Sequence, residues 1–513
     1  MYPGAHAQTQ PEKPALIMAG TGRTVTYAEL DERSNRLAQW WYAAGLRTGD
    51  GVAMLLTNTA EVLEIYWAAI RSGLYVTAIN YNLSADEASY IVSDANVRSL
   101  IVNTDLAELA TQVAASCPDL DLKLAIGAVE GAGLNGFGDY ESALAGSDPT
   151  PLAHEPRGAD MLYSSGTTGR PKGIRLPIPG TMIAEDPGTV TGLIKAVWGF
   201  DSDTIYLSPA PMYHAAPLRF CVSVTSLGGT VVMMEKFDAV KSLALIEAHR
   251  VTHSQWVPTH FVRMLKLAEE ERDGHDLSSM RIAIHAAAPC PVEVKQQMLD
   301  WWGPIIHEYY ASTETNGMTV ISPDDWLKHP GTVGRPALGV VRICAENGSV
   351  CETGEAGDVY FERDFIPFEY HHDPERTKAS QHPEHPTWTT VGDMGYVDPE
   401  GYLFLTDRKA FMIISGGVNI YPQEIEDALA LHPAVFDVAV IGIPDPEMGE
   451  RVKAFVQPAA DTEPGPELEA ELMGFLRERI AAFKIPRAWE FRTELPRTPT
   501  GKLQKGLLKE KTA

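Results

Sequence analysis

Between residues 13 and 103, short apolar runs alternate with stretches of helical periodicity, and this alternation most limits the architecture open to the chain. Residues 13–17 (KPALI) and 24–27 (TVTY) read as strands. From Ala28 the apolar positions recur at helical spacing through Leu37 and Trp41, and Gly45 stops the run. Residues 51–56 read as a buried strand, 61–72 as a helix and 75–78 as a strand, and 84–94 with 99–103 repeat the pair. Strands alternating with helices at this length predict a mostly parallel sheet covered on both faces. The 513 residues exceed what one hydrophobic core supports, so two or more domains are expected.

Charge excludes several partners. The formal net charge is -26, which opposes nucleic acid and anionic membranes. The five cysteines, at 117, 221, 290, 344 and 351, form no close CxxC pair, and their odd number argues against a secreted disulfide framework. No apolar run approaches the length of a membrane span. Residues 1–12 carry neither a basic leader nor an apolar core, so the cytoplasm is the expected compartment.

The densest chemical signal is Tyr163-Ser-Ser-Gly-Thr-Thr-Gly-Arg-Pro-Lys-Gly173. Gly166, Gly169 and Gly173 permit turns that aim backbone N–H groups at one anion. Ser164, Ser165, Thr167 and Thr168 add hydroxyl donors, and Lys172 adds a point charge. The composition fits a wrap for a polyphosphate, although it also fits a flexible surface loop. The pattern G-x-x-x-x-G-K-[ST] is absent, because Gly173 follows Lys172.

The stretch resembles the signature loop of the adenylate-forming acyl- and aryl-CoA synthetases, a family that includes luciferases and nonribosomal peptide adenylation domains. In that family the loop holds the β- and γ-phosphates of ATP, which implies that role for Ser164, Ser165, Gly166, Thr167, Thr168, Gly169 and Lys172. The resemblance implies an α/β fold: a large adenylating domain of mixed sheets flanked by helices over 1–408, and a small mobile α+β domain over 409–513.

Further matches follow in the family's order. His214, in Pro209-Ala-Pro-Met-Tyr-His214, is either a core histidine or, by the resemblance, a wall of the acyl pocket near the incoming thiol. Trp256 and Val257, at the head of an amphipathic helix expected over 260–271, resemble pocket walls; a buried structural tryptophan is the other reading of Trp256. Ala287 lies among alanines at a strand's carboxyl end, where the family often has Gly or Ser beside adenine and the acyl group. In Tyr309-Tyr-Ala-Ser-Thr-Glu314, Tyr310 offers a face to adenine, Thr313 a donor to the α-phosphate, and Glu314 a ligand to Mg2+. Locally, Ser-Thr-Glu would also serve as a helix cap.

Asp393 matches the family's ribose-binding aspartate and Arg408 the arginine that contacts ribose and phosphate. Gly416 and Gly417 match a turn against the pantetheine channel of CoA. Glu424 and Glu426 open a helix, where carboxylates favour the dipole. Lys502 alone reads as a surface lysine; as the family's final motif it becomes the adenylation lysine.

The chain departs from the family in places. No histidine follows Lys172-Gly173 closely, Ala311 replaces a glycine, and Ala410 with Phe411 removes the polar hinge contact. Residues 128–158 read as a polar connector, and the histidine-rich 371–387 as a solvated loop.

These readings imply a two-step ligase. An apolar carboxylic acid, a medium or long fatty acid before an aryl or steroid-side-chain acid, is adenylated by ATP with Mg2+ and passed to CoA. A carrier-protein thiol is an alternative acceptor, although no carrier domain follows Lys502; a non-catalytic binding protein is the remote alternative. A homodimer is compatible with all of them.

Overall fold

The computed structural model describes residues 2–127, 134–164, 171–408, 411–415, 418–446, 448–497 and 503–510; for 407, 408, 419 and 510 it describes the backbone alone. The architecture is mixed α/β, and the chain divides into two compact units.

The first unit comprises Met1–Gln255, Leu267–Ala283 and Pro367–Thr377. Its eight-stranded sheet carries the expected parallel run: Gly51–Leu55 lies between Tyr75–Ala78 and Val97–Asn103, and Ala159–Ser164 extends it beside Tyr75–Ala78. Lys172–Arg175 then turns back antiparallel to Ala159–Ser164, and Glu369–Tyr370 adds to its free edge. Leu55, Leu100 and Val102 pack under Ile91 of helix Ala85–Asp94 and Val113 of helix Ala107–Ser116. A second parallel group joins Pro14–Met18, Thr230–Met233, Ile205–Ser208 and His253–Trp256. Helix Ala215–Leu227 is bound to the other sheet by charge: Arg219 forks onto the buried Asp160, with both N–O distances 2.8 Å. A bidentate guanidinium–carboxylate pair fixes angle as well as distance, so the strand leading to Ser164 and the helix following His214 hold one orientation.

The second unit comprises Trp256–Lys266, Ile284–Ile366 and Lys378–Ala513. Ile306–Ala311, Met318–Ile321 and Arg335–Leu338 pair antiparallel. Val340–Cys344, Gly357–Glu362, Asp393–Val397 and Leu403–Arg408 form a small antiparallel sheet. Toward the C-terminus, Val435–Asp445 and Gly449–Pro458 form a long antiparallel pair under helices Pro422–Ala430 and Pro466–Arg477.

Several local expectations are corrected. The segment 260–271 is not one helix: Pro258–Leu265 ends, and Glu269–Asp273 begins anew. Three consecutive glutamates suit a helix's first turn and oppose its last. The connector 128–158 contains helix Tyr140–Ala145, capped by the Asp139 carboxylate accepting from Ser142 N–H. Helix Pro374–Ala379 interrupts the histidine-rich loop, and His382 is buried with Nε2 2.8 Å from the Gly348 carbonyl. Glu426 does not serve the helix dipole; it is buried, accepts from Val440 N–H at 2.6 Å and lies 2.9 Å from Lys505 Nζ.

A dry ionic cluster joins the strands of the second unit. Lys295, on helix Val292–Trp302, is fully buried and donates to Glu308 at 2.6 Å; its ammonium also lies 4.7 Å from the Trp326 ring centre. His285 Nε2 is 3.3 Å from the same carboxylate. Burial pushes the Glu308 carboxyl up, but His285 and Lys295 together overcome this and hold it down at about 2. Its folded value lies below the ordinary ~4.3, so its contribution to stability is complete above that value and drains away as pH falls toward about 2. Glu308→Gln, which leaves Lys295 unpaired, should cost about 3–5 kcal/mol. Lys295→Met with Glu308→Leu should recover most of that loss in denaturant unfolding; a double variant no better than the single one would contradict the pairing.

Candidate active site

The hairpin Ala159–Ser164 and Lys172–Arg175 sets Tyr163 opposite Gly173 and Ser164 opposite Lys172. The two ends of the glycine-rich stretch are therefore neighbours in one register. Ser165, Gly166, Thr167, Thr168 and Gly169 lie outside the described residues. Lys172 is half-buried, its Nζ 5.9 Å from the Tyr370 ring centre, and the Arg376 guanidinium lies 5.8 Å from that centre. An aromatic face near two cations keeps positive charge at the hairpin's root. Two residues to which the sequence reading gives no role meet here. Tyr163 donates to Asp94 Oδ2 at 2.6 Å, and Asp94 ends helix Ala85–Asp94.

His214 is the N-cap residue of helix Ala215–Leu227 and half-buried. Its ring centre lies 4.5 Å from that of Tyr213, which meets Tyr81 edge-on at 5.1 Å. Burial, reinforced by Tyr81, pushes the Tyr213 phenol above its ordinary value.

In the second unit, the carboxyl ends of two strands bring several predicted residues together. Tyr310, near the end of Ile306–Ala311, donates to Asp393 Oδ2 at 2.6 Å. That length is typical of a hydroxyl on an ionised carboxylate. Asp393 opens its strand directly opposite Arg408 in the register. The adenine, ribose and ribose–phosphate residues named from sequence thus converge, from positions 310, 393 and 408. The Tyr310 ring leans on Phe361 at 6.1 Å.

Thr313 is half-buried and Glu314 buried, in a turn and not a helix cap. Thr315 holds φ +52°, its N–H donates to Ser312 at 3.2 Å, and Arg363 reaches the carbonyls of Thr315 and Asn316 at 3.3 and 3.4 Å. A Cβ at Gly317 would sit 1.9 Å from Phe361 Cδ1, so only glycine allows the turn to press against that ring. Arg363 and Gly317 carried no sequence signal, because their partners are distant in the chain. The donors offered by Thr313 and Glu314 are hard oxygens, the set that suits Mg2+.

Trp256 is buried in an aromatic cluster, edge-on to Trp302 at 5.6 Å. Its carbonyl accepts from Ala286 N–H at 3.3 Å. Val257 is half-buried at the N-cap of helix Pro258–Leu265. Ala287 is exposed with φ +76°, a left-handed conformation that a Cβ opposes. Gly416, Gly417 and Lys502 lie outside the described residues, and of Arg408 only the backbone is described; Arg497 and Leu503 pair across the segment holding Lys502.

A family model described as AMP-binding enzyme matches residues 4–370, and one described as AMP-binding enzyme C-terminal domain matches 424–502. The chain belongs to the AMP-binding enzymes. This AMP-binding enzyme is 33% identical over 512 residues to a feruloyl-CoA synthase from Amycolatopsis sp, covering 98% of this chain and 97% of that protein. It is 31% identical to the fatty acid–[acyl-carrier-protein] ligase ScoC of Streptomyces coeruleorubidus, covering 99% and 95%. Its fold is similar to that of ATP-bound MatB from Rhodopseudomonas palustris, with TM-score 0.83, 29% identity and coverage of 100% and 99%. It is an adenylate-forming acid–thiol ligase, and ATP and CoA fit as its co-substrates. Among the described residues, no helix is long and apolar enough to cross a membrane.

The backbone at Ala287 makes a test. Removing the Cβ removes a penalty of about 1–2 kcal/mol, so Ala287→Gly should raise the unfolding midpoint. Ala287→Val should lower it, and at this exposed position no packing clash would be the reason. Two unchanged midpoints would exclude a left-handed backbone there.

Proposed function

We propose that the protein activates an apolar carboxylic acid, a medium or long fatty acid first among them, and transfers it to CoA. The observation that carries the adenylating half is the convergence of Tyr310, Asp393 and the Arg408 backbone position. Tyr310 presents a ring to adenine while its hydroxyl orients Asp393, the carboxylate assigned to ribose. The residues of 164–172 hold the β- and γ-phosphates, and Thr313 donates to the α-phosphate. Glu314 would hold Mg2+, which would supply charge neutralisation for the pyrophosphate.

Attack by a carboxylate on the α-phosphate joins two anions, so the reaction needs charge neutralisation more than a base. Lys502 supplies it between the carboxylate oxygen and the α-phosphate. The thiol, giving up its proton to solvent, then attacks the acyl carbon, and AMP leaves with the electrons of the broken acyl–oxygen bond. Lys502 serves only the first step, and Gly416 with Gly417 serves the thiol's approach. We assign that alternation to a small domain over 409–513 turning at Ala410 against 1–408. The cytoplasm, with its pools of ATP and CoA, is the proposed compartment.

The acid is assigned from small side chains. Ala215 and Ala216 follow His214 in sequence, and Ala286–Ala288 follow strand Ile282–His285, where Ala286 N–H donates to the Trp256 carbonyl. Similarity to a fatty-acid ligase supports the reading. An aryl acid is the second reading, supported by similarity to a feruloyl-CoA synthase. The name of the fatty-acid relative keeps a carrier-protein thiol as the other acceptor.

Product mass spectrometry across a panel of acids, each with CoA and ATP, separates these readings. In a chain-length series each added buried methylene should contribute about 0.8 kcal/mol until the pocket ends. Preference for acetate over octanoate in kcat/KM would reject an apolar pocket, and preference for ferulate over every fatty acid would select the aryl reading.

Lys502→Ala should slow pyrophosphate release by the equivalent of about 3 kcal/mol, the size of one transition-state donor. Thioester formation from supplied acyl-adenylate should stay near the parent rate. Unchanged pyrophosphate release would remove Lys502 from the first step.

A further inference from the structure

We propose that Asp94 is a positioning residue for the phosphate loop, acting through the hydroxyl of Tyr163. Neither residue is among those expected to touch ATP, and the inference rests on the reading that residues 164–172 hold its phosphates.

Asp94 is the last residue of helix Ala85–Asp94, and its side chain is 11% exposed. A carboxylate there faces the negative end of the helix dipole, which disfavours it. Helix stability therefore does not account for it, whereas its partners do. Oδ2 accepts from Tyr163 Oη at 2.6 Å, and Oδ1 lies 3.6 Å from His372 Nδ1. Burial, with the Asp94 hydrogen bond and charge adding to it, pushes the Tyr163 phenol far above its ordinary value, so the hydroxyl stays a donor.

The Tyr163 ring is held from other sides as well. Its register partner is Gly173, and a Cβ at Gly173 would meet Tyr163 Cζ and Oη at 2.9 Å. The ring thus lies across a position that only glycine leaves open. His371 holds Gly173 in turn: its N–H donates to the Gly173 carbonyl at 2.8 Å, and its Cβ lies 3.1 Å from the same hypothetical atom. His371 stacks on His372 with ring centres 3.8 Å apart, and His372 holds φ +55°, a strained backbone for a non-glycine residue.

These contacts surround the pair at the root of the glycine-rich stretch. Ser164 follows Tyr163, Lys172 precedes Gly173, and the two are opposite each other. A tilt of Tyr163 therefore moves both ends of the loop together. The polar contact that opposes such a tilt is the one to Asp94, since Gly173 and His371 supply backbone and van der Waals limits.

The test uses the full chain. Tyr163→Phe keeps the ring and removes the hydroxyl, Asp94→Ala removes the acceptor, and Asp94→Asn keeps an acceptor oxygen. Thr167→Ala, within the loop, reports on the loop itself. Each variant is measured for KM(ATP) and kcat in pyrophosphate release, for thioester formation from supplied acyl-adenylate, and for thermal midpoint. Tyr163→Phe and Asp94→Ala should raise KM(ATP) about tenfold, the size of one hydrogen bond to a charged group. Thioester formation should stay near parental while the midpoint falls modestly, as loss of one buried hydrogen bond requires, and Asp94→Asn should restore most of the ATP affinity. An unchanged KM(ATP) in Tyr163→Phe, with Thr167→Ala selectively impaired in pyrophosphate release, would overturn the positioning role and leave the phosphate loop intact. Equal loss in both half-reactions would also overturn it, in favour of general stability. If Thr167→Ala shows no selective loss, the phosphate-loop reading fails and the proposal falls with it.

Discussion

Burial of charge beneath the strand ends is the constraint on which the arrangement of both units depends. An ionised group removed from water is tolerated only when a partner compensates it. Arg219 with Asp160, and Lys295 with Glu308, meet that condition in the first and second units respectively. Each pair ties a helix to a strand that goes on to carry candidate site residues. Asp160 lies four residues before Ser164, and Glu308 two before Tyr310. Displacing either strand would leave an unpaired charge in a dry interior, so the pairs restrict motion more than they add to net stability.

Chemistry at such strand ends relies on rigid placement. Adenylation brings a carboxylate to a phosphate already carrying negative charge, and fixed donors do this better than mobile ones. The hydrogen bond from Tyr310 to Asp393 and the bracing of the Thr315 turn by Arg363 would supply such rigidity at the proposed site. The unfavourable backbone at Ala287 and Thr315 fits the same logic, because local strain persists where surrounding contacts over-determine the conformation.

Sequence reasoning reached the parallel run of the first sheet because the period of apolar residues changes visibly between its strands and helices. It also picked out Tyr310 and Asp393, through short motifs of the family resemblance, and the structure joins these two by a hydrogen bond. It did not reach Asp94 or Arg363, because nothing local separates a buried positioning carboxylate from an ordinary helix-terminal one. The break near Lys266 is hidden for another reason: apolar spacing continues past it, and no glycine or proline marks the point where Glu269–Asp273 begins anew. Glu426 was misread because its position near a helix start matched a dipole argument, whereas its partners Val440 and Lys505 come from distant strands and helices. The histidines of 371–387 divide likewise: His382 is held by Gly348, a residue that no spacing rule connects to it.

The central claim is that the α-phosphorus of ATP is the reaction centre. The measurement that tests it most directly is the nucleotide product formed with ATP, Mg2+, CoA and octanoate. The account predicts AMP and pyrophosphate in equal amounts, with one acyl-CoA formed per AMP. Formation of ADP and phosphate in step with the thioester would contradict it, because that outcome puts the reaction at the γ-phosphorus.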